Sequence, residues 1–358
     1  DLARVFTNCF PNTLDTTVRF KQGSEDEEES TFVITGDIPA MWLRDSSHQM
    51  LPYVPYARRD PHLAACLRGL IRFQARSVLI DPYANAFNFD GKGSGGMWQK
   101  DKRTPPMTPA LWEGKFEIDS LCSVIHLSGE YFSATKDSSA FDADWVKSAC
   151  LMVSILKHQV DVSQWDCYSF HSLMLEGRGP PGVTCGLIRS PFRPSDDAAT
   201  LPFPVAANCY VIFAMKHLSK IFREALHDDL HALEANQFAQ SVSEAMMKFG
   251  VIDKEAIFAY EVDGFGSQYF MDDANFPGLL GLPLIGWGSS SIFSNTRSAV
   301  LSRRNPYYFT GKVASGIGGP HVGLGWIWPM SLITQALTST NDAEIMNCIQ
   351  FLKSSALT

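Results

Sequence analysis

Several common chemistries are missing from this chain of 358 residues. Its eight cysteines include no CxxC pair, and no HExxH segment occurs, so the usual zinc-ligand spacings are absent. No GxSxG elbow is present, and no lysine with serine or threonine follows the glycines of 316–325, which excludes a serine-elbow hydrolase and a phosphate loop. No Asn-X-Ser/Thr sequon appears, and no run of 18 apolar residues could cross a bilayer. Positive charge is also scarce. Against 38 acidic residues stand 30 basic ones, a net charge of −8, so no basic face is available to neutralise nucleic-acid phosphates. No signal peptide opens the chain. The expectation is a soluble protein, with no nucleic-acid partner, no membrane span, no cofactor and no metal, its compartment left open.

What is present is ordinary core material with a surplus of rings. Apolar residues make up 45%, enough for a sizeable core, and 8 Trp with 24 Phe agree with stacking on sugars, although packing accounts for most of them. The cysteines sit mainly in apolar helical contexts such as Ala64-Ala65-Cys66-Leu67 and read as small core residues. A bridge such as Cys167–Cys185 is open to a secreted chain, but spacing alone does not show it.

The most informative segment is Gly36-Asp37-Ile38-Pro39-Ala40-Met41-Trp42-Leu43-Arg44-Asp45-Ser46-Ser47. Two carboxylates, a guanidinium and an indole lie within nine residues, among apolar neighbours. Charges taken from water must be paired or must hold a ligand. An indole can cover the apolar face of a sugar ring while charged groups take its hydroxyls. A buried Arg44–Asp ion pair at a helix start, with Trp42 as core, explains the segment equally well. Three further acidic clusters follow: Glu117-Ile118-Asp119, then Arg193-Pro194-Ser195-Asp196-Asp197, then Asp272-Asp273. Adjacent side chains leave the backbone in different directions, so Asp196 and Asp197 cannot both enter one site in the same way. One could serve chemistry while the other caps a helix. Singly, such clusters are caps or solvated turns; together they suggest a carboxylate-lined pocket.

Those blocks resemble a known family. GDIPAMWLRDSS (36–47), FEIDSLC (116–122), FRPSDDA (192–198), YEVDGFG (260–266), MDDANFPGLL (271–280) and GIGGPHVG (316–323) are similar, in order along the chain, to the family 125 glycoside hydrolases. The resemblance implies exo-acting α-1,6-mannosidase activity on an α-mannoside oligosaccharide or N-glycan, by an inverting, metal-independent mechanism. It implies that Asp196 or Asp197 is the general acid. Asp37, Trp42, Arg44, Asp45, Glu117, Asp119, Arg193, Asp272, Asp273 and His321 are the expected substrate ligands. It places the general base in a His-Glu-Ser-Phe-like segment after the helix over 342–355. No His-Glu pair occurs in this chain, so the expectation is a catalytic apparatus incomplete at the C-terminal end.

Helical periodicity dominates the remainder, over 54–77, 117–135, 142–160, 205–222, 230–249, 328–337 and 343–352. Strand signals are short, as at 32–35. The polar run KQGSEDEEES (21–30) reads as a surface loop. The resemblance implies an all-α (α/α)6 barrel, and long helices joined by motif-bearing loops match such a toroid, with function on loops held by a rigid scaffold. The expectation is a single domain over 1–358, lacking its last helices. Two other classes remain in play. A metal-dependent hydrolase would use Asp37, Asp45, Asp272 and His321, and a non-catalytic protein would bind mannosides without turnover.

Overall fold

The computed structural model describes residues 2–24, 28–93, 96 and 100–355. Its helices are α1 (Leu2–Cys9), α2 (Leu43–Met50), α3 (Pro61–Ile80), α4 (Ile118–Thr135), α5 (Ala143–His158), a single turn α6 (Met174–Gly177), α7 (Val205–Glu224), α8 (Asp229–Phe249), α9 (Ser291–Val300), α10 (Pro329–Leu337) and α11 (Asp342–Ser355). Strands are two to four residues long and form small antiparallel patches between helices. No helix among the described residues is long and apolar enough to cross a membrane. All eight cysteines are free, and those at 66, 122, 209 and 348 are buried.

Most predicted helices are in place within a residue or two. The exception is 54–77, which begins only at Pro61. Asp60 is extended there, and its carboxylate accepts the N–H groups of His62 and Leu63, both at 3.0 Å. A capping aspartate followed by proline at the first helical position sets a hard start. Residues 51–56 form a 3-10 turn around Pro55 instead.

Backbone packing divides the chain into two compact units. One comprises residues 11–179 and 211–241. Here α2 packs on α4 and α3 on α5, over a core that includes Phe32, Phe116, Tyr131, Trp145 and Phe222. The hairpin Val18–Lys21/Ser30–Val33 lies against α3. Thr31 donates its hydroxyl to the Cys66 carbonyl at 2.7 Å, and a Cβ on Gly69 would fall 2.6 Å from that hydroxyl oxygen, so only glycine fits. The polar run 21–30 is thus the hairpin connection, and its residues 25–27 lie outside the described ones. It is anchored at one end, where Glu29 pairs with Arg68 at 2.5 Å and Arg72 at 3.1 Å.

The second unit comprises residues 2–10, 180–210 and 242–355. Strand Glu261–Val262 is central in a three-stranded patch between Phe203–Pro204 and Gln268–Tyr269. The hairpin Tyr308–Thr310/Ser315–Ile317 carries the glycine-rich segment toward α10, which packs on α11.

Candidate active site

In the first unit, the short strand Met41–Trp42 pairs with Ala86–Phe87 and delivers the chain into α2. Arg44 then falls in the first turn of α2, facing the start of α4. Its Nη1 donates to Glu117 Oε2 at 2.7 Å and to Asp119 Oδ2 at 3.1 Å, and its Nη2 lies 3.2 Å from Asp45 Oδ2. Glu117 is 1% exposed, Asp119 0% and Arg44 8%. Glu117 occupies the extended position just before α4, so both carboxylates lie at the positive end of that helix. Asn85 braces Glu117 Oε1 at 3.4 Å, and Ser120 donates to its Oε2 at 3.1 Å. The cluster holds one guanidinium against three carboxylates. Ionised carboxylates only accept hydrogen bonds, which suits them to the hydroxyl donors of a ligand.

Two expected members stand apart from this cluster. Trp42 is only 6% exposed and packs in a small core with Ala40 and Ala86, flanked by Ile38 and Trp112. Asp37 sits exposed on the turn closed by the Thr35–Ile38 bridge.

The second unit holds the other acidic motifs. Residues 192–198 form a tight loop closed by the Phe192–Ala198 bridge, with Arg193 N–H donating to the Asp197 carbonyl at 2.8 Å. Asp196 takes φ +64°, the left-handed region that aspartate tolerates better than most residues. Arg193 is buried. Its Nε donates to Glu261 Oε1 at 2.5 Å and its Nη2 to Thr200 Oγ1 at 2.9 Å, while the guanidinium lies over Tyr260 and Tyr269 at 5.3 and 6.0 Å. Glu261 Oε2 takes the N–H groups of Thr200 and Leu201 at 2.9 and 3.0 Å.

Asp272 and Asp273 are buried side by side and diverge. Asp272 accepts the Leu279 N–H on Oδ1 at 2.8 Å and the Leu280 N–H on Oδ2 at 2.9 Å. Burial, and then the neighbouring Asp273, push its carboxyl up to about 8. Asp273 accepts the Tyr260 hydroxyl at 2.7 Å and the Asn275 N–H at 2.9 Å, and burial raises it as well. Asp263 accepts three backbone N–H groups, from Phe265, Gly266 and Ser267. Asp197 differs from all of these. Its side chain is 32% exposed, its Oδ1 lies 3.3 Å from His321 Nδ1, and Ser195 Oγ is 3.4 Å from its Oδ2. His321 in turn stacks on Trp328, with ring centroids 6.0 Å apart and planes at 17°.

The geometry therefore gathers Arg44, Asp45, Glu117 and Asp119 in one unit, and Arg193, Asp196, Asp197, Asp272, Asp273 and His321 on neighbouring loops of the other. Glu261 and Tyr260 were not anticipated as parts of the second group. The signal available was a glutamate between Tyr260 and Val262, a charge in a strand-like apolar setting that needs a buried partner. Among the described residues no three His, Cys, Asp or Glu side chains are grouped so as to hold a metal ion.

Comparison with known proteins gives this arrangement a context. Residues 1–358 match the family model described as metal-independent alpha-mannosidase, GH125. The chain is 42% identical over 385 aligned positions to the Meiotically up-regulated gene 157 protein of Schizosaccharomyces pombe, covering 99% of this chain and 75% of that one. It superposes with a TM-score of 0.92 on a metal-independent alpha mannosidase of Streptococcus pneumoniae, solved in a non-productive substrate complex with alpha-1,6-mannobiose. That protein is 33% identical, with 99% of this chain and 84% of that chain covered. The fold class is accordingly all-α, of the (α/α)6 type. A GH78 family rhamnosidase of Bacillus sp. GL1 shares the fold alone, at 10% identity and a TM-score of 0.56, over 89% of this chain and 27% of the other.

Proposed function

Since the chain belongs to glycoside hydrolase family 125 and is an enzyme of the α-mannosidase type, we propose that its reaction is the release of terminal mannose from α-1,6-linked mannosides with inversion at the anomeric carbon, and that Asp197 is the proton donor. One observation carries the assignment of the acid. In its unit Glu261, Asp263, Asp272 and Asp273 are spent on backbone amides, an arginine or a tyrosine hydroxyl, whereas Asp197 is partly open to solvent beside His321. Asp196, the other candidate, makes the left-handed turn that aims its neighbour.

The chemistry needs one protonated carboxyl to assist the leaving oxygen and a second carboxylate to activate water on the opposite face, ~6.5–9.5 Å away. In the proposed step the Asp197 proton passes to the glycosidic oxygen as the bond to the anomeric carbon breaks. The leaving sugar departs as an alcohol, and water supplies the new hydroxyl while its other proton passes to the second carboxylate, a role assigned to no residue named above. Arg44 and its three carboxylates are assigned to sugar hydroxyls, because carboxylates accept hydroxyl hydrogen bonds and a planar guanidinium can hold two oxygens at once. Arg193 and Glu261 are assigned to holding the acid loop.

Proton NMR of the first sugar released from α-1,6-mannobiose tests the reading. The β-anomer of mannose should appear first and mutarotate. Initial α-mannose would overturn inversion.

A further inference from the structure

The loop that carries His321 has a property the proposed chemistry does not use. Residues 320–328 read PHVGLGWIW, and they leave Leu324 79% and Trp326 68% exposed. An exposed indole on a fixed backbone offers a flat apolar face to a ligand. The loop is not slack. Gly323 and Gly325 take φ +91° and +84°, and Gly323 N–H donates to the Pro320 carbonyl at 3.2 Å. A Cβ on residue 318 would fall 1.9 Å from the Trp326 carbonyl oxygen, so only glycine lets the two strands of the loop pass. Trp328 N–H donates to the Ile317 carbonyl at 3.1 Å. The backbone is thus fixed with the indole outward. Trp326 Cδ1 lies 3.7 Å from where a Cβ on Gly323 would sit, across the turn that bears His321. His321 reaches Asp197 at 3.3 Å.

We propose that Trp326 is a platform for the sugar on the leaving-group side of the scissile bond, and so a specificity-determining residue. The inference rests on the mannosidase reading and on Asp197 as proton donor. The oxygen that receives the proton belongs to the leaving sugar, so that sugar must lie beside Asp197. A pyranose offers an apolar C–H face to an indole and hydroxyl groups to an imidazole. An aromatic anchor on a rigid loop contributes affinity without first having to be ordered.

Calorimetric titration in an Asp197→Asn background, which should leave the disaccharide intact, tests this with free mannose and with α-1,6-mannobiose. Adding Trp326→Ala should weaken mannobiose about tenfold and leave mannose unchanged, the loss expected for truncating an aromatic anchor. Trp326→Phe should recover most of it, showing that the ring and not the fold is responsible. Unchanged mannobiose affinity in Trp326→Ala, with mannose still bound, overturns the platform alone. Loss of self-association with unchanged mannobiose affinity gives the face to a second copy of the chain and also overturns it. Binding of neither sugar to the unmutated chain, or near-normal mannobiose turnover in the Asp197→Asn background, overturns the reading on which the platform rests.

Discussion

Two buried arginines make opposite uses of the same kind of partner. Arg44 faces three carboxylates from α2 and the start of α4, one of them 32% exposed. Arg193 forms an ion pair with one, Glu261, with Asp273 close enough to act on its charge and a threonine hydroxyl and two tyrosine faces around it. The second pair is closed. Glu261 has one oxygen on the guanidinium and the other on two backbone amides, so nothing is left for a ligand. The first gathers three carboxylates on one guanidinium, and one of them, Asp45, reaches solvent. A buried ion pair on its own says little about function, because desolvation offsets most of the attraction. Whether a charged member of the cluster reaches solvent, as Asp45 does and Glu261 does not, separates a receptor from a strut.

The largest effect expected from this contrast is on catalysis. If Arg193 and Glu261 only brace the loop, the chemistry belongs to the carboxylate they leave free. Asp197→Asn should lower turnover of mannobiose by ~10²–10⁴, the usual contribution of general acid catalysis. An aryl mannoside with an activated leaving group should lose far less, since its leaving oxygen needs little protonation. Equal losses on the two substrates would remove Asp197 from the acid role.

The next contrast is in stability. Arg44→Met removes the guanidinium that Glu117 and Asp119 share, and should cost roughly 3–5 kcal/mol in urea unfolding. Arg193→Met leaves Glu261 with two amide donors, and roughly 1–3 kcal/mol is expected. A larger cost at Arg193 than at Arg44 would break the distinction between strut and receptor. Arg44→Lys sharpens it further. A point charge cannot replace the planar fork, so mannose affinity should drop by ~2–4 kcal/mol while the fold survives.

The part of this picture that was legible in the sequence follows from where hydropathy carries information. Helices with one apolar stripe, such as α4, α5 and α8, were readable from their period and end where expected. Helix α2 has no apolar stripe and was readable only as the helix start of the ion-pair alternative, because its buried side is Arg44, Ser46 and Ser47 as well as Leu43 and Met50. Those hydroxyls are hidden by Gln74 of α3, which donates to them at 2.8 and 2.9 Å. No local pattern shows that a distant glutamine makes polar residues buriable. The acidic motifs were legible as clusters, and the argument that adjacent aspartates diverge describes Asp272 and Asp273 well. What each carboxylate is spent on depends on folding distance: Asp272 is taken by amides seven and eight residues on, and Glu117 by an arginine 73 residues earlier. For Trp42 the sequence left two readings, a wall for sugar and a core residue, and the indole is buried with Ala40 and Ala86.

A smaller prediction separates the units by pH. In the first, His48, His126 and His217 form a row, with ring centroids 6.5 and 5.8 Å apart. Burial, then Arg44, lowers His48 to about 3; burial, then Lys220, lowers His217 to about 4; burial and the two flanking rings hold His126 well below its ordinary value. Glu130, 3.6 Å from His217, is the acidic group at that end. Each folded value lies below the unfolded one near 6.5, so the unfolded chain takes the protons first. Stability is then full above about pH 6.5 and is lost as pH falls toward 4, at about 1.4 kcal/mol per pH unit for each proton. Asp272 in the second unit has the opposite sign. Its folded value, raised to about 8, makes stability full below about pH 4 and declining as pH rises to 8. Melting temperature against pH should therefore fall on both sides. His126→Gln should flatten only the acid side, and an acid limb that stays flat down to pH 5 would show that the row is hydrated and titrates normally.

The finest test concerns the two neighbouring aspartates. The backbone at 196 sits at φ +64°, a conformation that costs most residues about 1–2 kcal/mol and costs Asn and Asp less. Asp196→Asn keeps both the turn preference and the size of the side chain, so folding should shift by no more than ~0.5 kcal/mol, the range of a benign surface change. Turnover of mannobiose should also survive within a fewfold. Asp196→Ala should lose about 1 kcal/mol of stability, because alanine pays the left-handed penalty in full, and the acid loop that Arg193 and Glu261 brace should become less well held. If Asp196 is only the turn, the Ala variant lowers turnover on the natural linkage and on the activated aryl mannoside alike, through misplacement of its neighbour. If Asp196→Asn instead nearly abolishes mannobiose cleavage and spares the aryl mannoside, Asp196 is the proton donor, and Asp197 with His321 becomes the part that aims it.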